Sequence, residues 1–145
     1  MELAAEALEA GDEPFGSVLV GADGTVLAED RNRVASGDAT RHPEFELARW
    51  AAANLTPEQR AAATVYTSGE HCPMCAAAHG WVGLGPIVYA GSGAQLAAWR
   101  AAWGKPASPV AVLPVTALVP GLSVTGPVVP FDEQMRALHE RAATR

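Results

Sequence analysis

Thr67-Ser68-Gly69-Glu70-His71-Cys72-Pro73-Met74-Cys75 holds both cysteines of the chain, three positions apart. The stretch reads as the end of a strand followed by the start of a helix. Pro73 suits the first turn of that helix, where a missing N–H costs nothing. The sulfurs are thereby placed beside a helix N-terminus, whose free N–H groups and positive dipole end favour thiolate over thiol. Two thiolates on one turn make half of a metal site. The candidate for the other half is His42-Pro43-Glu44, thirty positions before Cys72.

Working outward, Thr64 to Thr67 is the strand that delivers the cysteines, and the helix after Cys72 runs to about Val82 and stops at Gly83-Leu84-Gly85. Upstream, Pro43 to Leu55 carries an apolar stripe at helical spacing, from Phe45 and Leu47 to Ala51 and Leu55. Thr56-Pro57-Glu58 caps a short further helix. Nearer the start, Met1 to Ala10 has helical spacing and ends at Gly11. Phe15 to Val20 and Thr25 to Glu29 form a hairpin across Gly21-Ala22-Asp23-Gly24. Downstream, Pro86 to Ala90 is a fourth strand and Gln95 to Trp103 a helix. Val110 to Val119 is apolar but broken by Pro114 and reads as extended, Leu122 to Thr125 as a fifth strand. Pro130 to Arg141 is a terminal helix with Met135 and Leu138 turned inward and Asp132, Glu133 and His139 solvated. A hairpin followed by alternating helix and strand predicts an α/β fold: a five-stranded mixed sheet with helices on both faces. Residues 1–145 read as one domain.

The chain of 145 residues is 49% hydrophobic and 18% charged, enough to bury a core. Its net charge is −6 with only ten basic residues, which argues against a nucleic-acid surface. No window reaches the ~18 apolar residues of a membrane span, and no charged segment followed by an apolar one opens the chain. A cytoplasmic location follows as the expectation. In that compartment a C-x-x-C pair reads as metal-binding or redox-active rather than as a disulfide.

Zinc takes thiolate and imidazole, and three protein ligands leave a fourth position for water. His42, Cys72 and Cys75 supply three. A zinc-bound water has its pKa lowered to about 7, and its proton then needs a carrier. Glu44, two residues from His42 at the mouth of a helix, is placed to carry it without ligating the metal. Two other readings stay open on the residues alone: a redox C-x-x-C pair, and a closed structural zinc site in which His71 and His79 join the cysteines.

His42-Pro43-Glu44 together with Cys72-Pro73-Met74-Cys75 resembles the established H-x-E…P-C-x-x-C signature of the zinc-dependent cytidine and nucleobase deaminases. Pro14-Phe15-Gly16-Ser17-Val18-Leu19-Val20, Asn32-Arg33, Tyr66-Thr67 and Ile87-Val88-Tyr89-Ala90 look like further segments of that family, so the resemblance covers roughly residues 1 to 91. It implies the cytidine deaminase-like three-layer α/β/α sandwich. It implies Zn2+ held by His42, Cys72 and Cys75, with Glu44 as proton shuttle and Asn32 hydrogen-bonding the substrate ring. Phe15, His71 and Trp81 join Asn32 as expected substrate contacts, Trp81 because guanine deaminases carry a Trp at the matching place. Two positions depart from the family pattern: His71 stands where Pro usually precedes the first Cys, and Pro43 where Ala is commoner. The two-Cys, one-His set is similar to the guanine, cytosine and tRNA adenosine deaminase branches. The implied activity is hydrolytic deamination of a small amino-substituted base or base-like ring, of guanine, cytosine or aminotriazine type. A nucleoside or tRNA adenosine deaminase and a non-catalytic zinc-stabilised binding module are the alternatives. A small heterocyclic amine is the expected partner, nucleic acid and membrane are not, and a homodimer is expected.

Overall fold

A computed structural model describes residues 1–145. The chain forms α1 (Glu2–Glu9), β1 (Gly16–Val20), β2 (Val26–Arg31), α2 (Pro43–Asn54), α3 (Pro57–Ala62), β3 (Thr64–Gly69), α4 (Pro73–Val82), β4 (Ile87–Gly91), α5 (Gly93–Ala102), α6 (Val115–Leu118), β5 (Val124–Thr125) and α7 (Phe131–Ala143). The five strands make one mixed sheet in the order β2-β1-β3-β4-β5. β1 runs antiparallel to both β2 and β3, whereas β3, β4 and β5 are parallel. Helical crossovers between β3, β4 and β5 permit those parallel pairs.

Helices α2 and α4 pack side by side on one face of the sheet, with α6 against α4; α1 and α7 cover the other. The expected α/β/α layering with a five-stranded mixed sheet is therefore present. Leu19 and Val65 from the strands bury against Leu47, Ala48 and Ala51 of α2. A second cluster joins Ala76 of α4, Ile87 and Tyr89 of β4 and Val115 of α6. On the opposite face α7 comes close to the sheet because Gly69 and Gly91 have no side chain. A Cβ on Gly91 would collide with the sulfur of Met135, and one on Gly69 would lie 2.7 Å from the Phe15 ring.

Three local expectations differ from the structure. Residues 110–114 are not a strand, since Pro114 opens the short helix α6 and the preceding segment pairs with no strand. β5 is only Val124–Thr125, because its parallel pairing with β4 extends over two residues. His139 is buried rather than solvated, one turn beyond Met135 on the inward face of α7.

Candidate active site

The site lies at the carboxyl ends of the parallel strands β3 and β4, the end where open α/β sheets bind their ligands. Two helices begin there in the same way. His42 is the N-cap of α2 and Cys72 the N-cap of α4, each in extended conformation and each followed by Pro at the first helical position. Proline presets the helical φ and removes an N–H that has no partner there. Because α2 and α4 pack together, the two caps meet. Cys75, one turn into α4 and buried, completes the group.

The His42 Nδ1 lies 3.6 Å from the sulfur of Cys72 and 3.6 Å from that of Cys75, and the sulfurs are 3.5 Å apart. All three ligand atoms fall within 4.8 Å of one another. Two thiols and an imidazole nitrogen converging on one point fit zinc, whose preferred ligands they are, and leave a coordination position open. The hydrogen bond from Cys75 and the neighbouring His42 bring the Cys72 thiol down to about 4, while that same shared proton and burial push Cys75 up. His42 is raised, chiefly by its contact with Cys72. Thiolate is the form in which cysteine binds a metal, and the surroundings of Cys72 favour it.

Glu44, on the first turn of α2, is buried beside this group. Its Oε1 accepts hydrogen bonds from Ser17 Oγ at 2.8 Å and Thr67 Oγ1 at 2.7 Å. Ser17 and Thr67 are direct partners across the β1–β3 pair, so both hydroxyls point to the α2 face. Burial raises the Glu44 pKa, and the hydrogen bonds from Thr67 and Ser17 oppose that rise. A carboxyl held between these influences can both take up and give back a proton. Sequence reasoning passed over Ser17 and Thr67. The signal was available: both are polar residues at strand positions whose neighbours of the same parity, Leu19 and Val65, are buried.

His42, Glu44 and Cys72 open onto a cavity of about 530 Å3. Phe15 lines it beside Gly69 at the end of β3, with its ring edge-on to His139 at 4.8 Å. The other expected substrate contacts are placed differently. Trp81 is 90% exposed and outside the cavity, because it follows the buried His79 on α4 by two residues, about 200° around the helix. His71 is among the residues that wall the cavity, but it is buried and its ring meets that of His79 edge-on at 5.1 Å. His79 in turn binds the Gly85 carbonyl through Nε2 at 2.8 Å, so neither histidine joins the cysteines and the closed four-ligand site is not formed. Asn32 is fully buried and does not line the cavity. Its Oδ1 accepts the Val34 N–H at 3.0 Å, while its Nδ2 donor has no partner.

Residues 1–91 match the family model for the cytidine and deoxycytidylate deaminase zinc-binding region. The chain belongs to that family. Among its relatives, the guanine deaminase of Bacillus subtilis is 41% identical over 90 residues, covering 61% of this chain and 57% of that protein. The tRNA-specific adenosine deaminase of Agrobacterium fabrum is 40% identical over 94 residues, 61% of each chain. The chain therefore matches only about three fifths of the length of these relatives. In fold, it superposes on a guanine deaminase from Nitrosomonas europaea with a TM-score of 0.74 at 22% identity, over 99% of this chain and 80% of that one. Residues 92–145 of this deaminase-family chain lie beyond the matched region, yet they build the far wall of the cavity through α5 and the segment after it.

Proposed function

We propose that this protein hydrolytically deaminates a small amino-substituted nucleobase or base-like heterocycle, of guanine, cytosine or aminotriazine type, and releases ammonia. The observation that carries the reading is Glu44, buried beside the His42, Cys72 and Cys75 group, with one carboxyl oxygen fixed by Ser17 and Thr67. Zinc held by His42, Cys72 and Cys75 supplies Lewis-acid activation of water. Glu44 takes a proton from water as its oxygen bonds to the ring carbon bearing the amine. It then returns the proton to that nitrogen, which leaves as ammonia while the ring keeps the oxygen. Phe15 offers an aromatic surface to the ring.

A free ring is preferred to tRNA because the net charge is −6 and the far wall of the cavity is formed largely by apolar residues such as Leu96, Val112 and Leu113. No helix is long and apolar enough to cross a membrane, and a site that needs two reduced thiols suits the cytoplasm. The exposed Trp81 on α4 supports a homodimer built on that face.

Ammonia release by the zinc-loaded protein tests the proposal, against guanine, cytosine, 5-azacytosine, aminotriazines and adenine, with the corresponding nucleosides alongside. Turnover of free bases is expected. Turnover confined to nucleosides, or tight and salt-sensitive tRNA binding, would overturn it.

A further inference from the structure

The cavity is larger than a bare base needs. At about 530 Å3 it falls in the range of about 300–1,000 Å3 typical of sites for drug-sized ligands. The metal group and Glu44 occupy one end. The remainder runs between α5 and the strap of residues 104–114, where Leu96, Ala97 and Ala101 face Val110, Val112 and Leu113. That stretch offers apolar contact and little hydrogen bonding. Beyond it the wall carries Arg100 and Lys105, the only Lys or Arg side chains that line the cavity.

These two cations are poorly neutralised. Lys105 forms no ion pair, and Arg100 has only Glu13 at 3.8 Å, with both partners substantially exposed, a pairing worth little. Arg100 Nη2 also reaches the Pro106 carbonyl at 3.4 Å. The carboxylates that share the cavity are already engaged. Glu44 accepts from Ser17 and Thr67. Glu70 spends Oε2 on the Gly93 N–H at 2.9 Å and Oε1 on the Val115 N–H at 3.1 Å, tying down the starts of α5 and α6. Arg100 and Lys105 also line a second cavity of about 340 Å3, which adds His139, Glu13 (the partner of Arg100) and Arg145, itself held by Glu9 and the Leu8 carbonyl. The Nε2 of His139 is buried there without a partner. Asp12 in that cavity is taken by Arg31 at 2.8 Å and by the Ala35 N–H at 2.8 Å.

We propose that the heterocycle deaminated at this site carries an apolar arm ending in an anionic group, and that Arg100 and Lys105 receive that group. The inference rests on the deaminase reading and narrows its substrate class. The ring sits at Glu44, the stem of the arm packs between α5 and the strap, and the carboxylate or phosphonate-type end meets the two cations where the cavities join.

Matched rings test it: guanine against N9-(2-carboxyethyl)guanine and N9-(2-phosphonoethyl)guanine, and cytosine against the same arms at N1, with the uncharged carboxamide arm as control. Both ammonia release and calorimetric affinity are measured with the zinc-loaded protein. An anionic arm is expected to raise kcat/KM or affinity at least tenfold over the carboxamide arm, with the gain shrinking at high salt. Arg100→Ala should bring that ratio close to one, and Lys105→Glu should push it below one. The better of the two anionic ends identifies the group. Equal performance of charged and uncharged arms in the natural protein, or a ratio that neither variant changes, would overturn the proposal. Ammonia release from none of the rings would instead count against the deaminase reading, and the affinity ratio would then decide the arm independently.

Discussion

In the proposed reaction Glu44 carries the proton, and its neighbours act on its proton affinity. The hydroxyls of Thr67 and Ser17 favour its charged form, against the burial that raises its pKa. Thr67→Val removes one of them. The Glu44 pKa should then rise, and the acidic limb of the kcat profile should move to higher pH with activity falling at neutrality. A pH–rate profile identical to that of the natural protein would contradict this role for Thr67. The convergence of His42, Cys72 and Cys75, with Glu44 beside them, was legible in the sequence because metal chemistry demands those residue types at those spacings. The hydroxyls that hold Glu44 were half legible: their parity with Leu19 and Val65 marks Ser17 and Thr67 as inward-facing, but the register that sets them opposite each other across β1 and β3 is visible only in the fold. Trp81 was misjudged for a related reason: its place six residues after Cys75 says nothing until the helix phase is fixed by Cys75, Ala76 and His79 turning inward.

The two helices that build the site begin with Pro at their first helical position, and the end of α4 is announced by the sequence. α4 stops at Gly83 with φ 71°, a left-handed conformation that glycine adopts without strain. The less legible part follows β4. Nothing in the apolar run of residues 110–119 told strap from strand; what decides it is Pro114 opening α6 and the Glu70 carboxylate accepting the Val115 N–H. The contact between α1 and β1 is close for a stated reason: a Cβ on Gly16 would lie 2.8 Å from the Ala4 nitrogen and 2.9 Å from the Leu3 carbonyl carbon. Both are backbone atoms and cannot move aside singly. Gly16→Ala should therefore destabilise the fold by about 1–3 kcal/mol, read as a lowered urea midpoint. An unchanged midpoint would mean that α1 is not seated on the sheet as described.

For the molecule as a whole, buried histidines set the response to acid. Burial, assisted by Arg100, holds His139 at about 4, below the ~6.5 of a free imidazole. The unfolded chain takes up a proton below pH ~6.5 that the folded chain refuses. This contribution to stability is complete above that pH and falls away as pH drops towards 4, by about 3 kcal/mol. His71 and His79 are shifted in the same direction by burial and add to the loss. His139→Gln should flatten the dependence between those limits in equilibrium unfolding, and an undiminished slope would contradict it. If two copies associate through the α4 face, Trp81→Glu should convert a dimer to a monomer in light scattering, whereas a natural protein that is already monomeric at micromolar concentration would refute the association. The central claim concerns the site that all these elements position, and one comparison tests it most directly: ammonia release from the free-base panel by the zinc-loaded natural protein and by Glu44→Gln, with zinc content measured on both. The account predicts turnover by the natural protein and a loss of at least a hundredfold in the variant at unchanged zinc occupancy. A Glu44→Gln protein that binds zinc and remains fully active would contradict it.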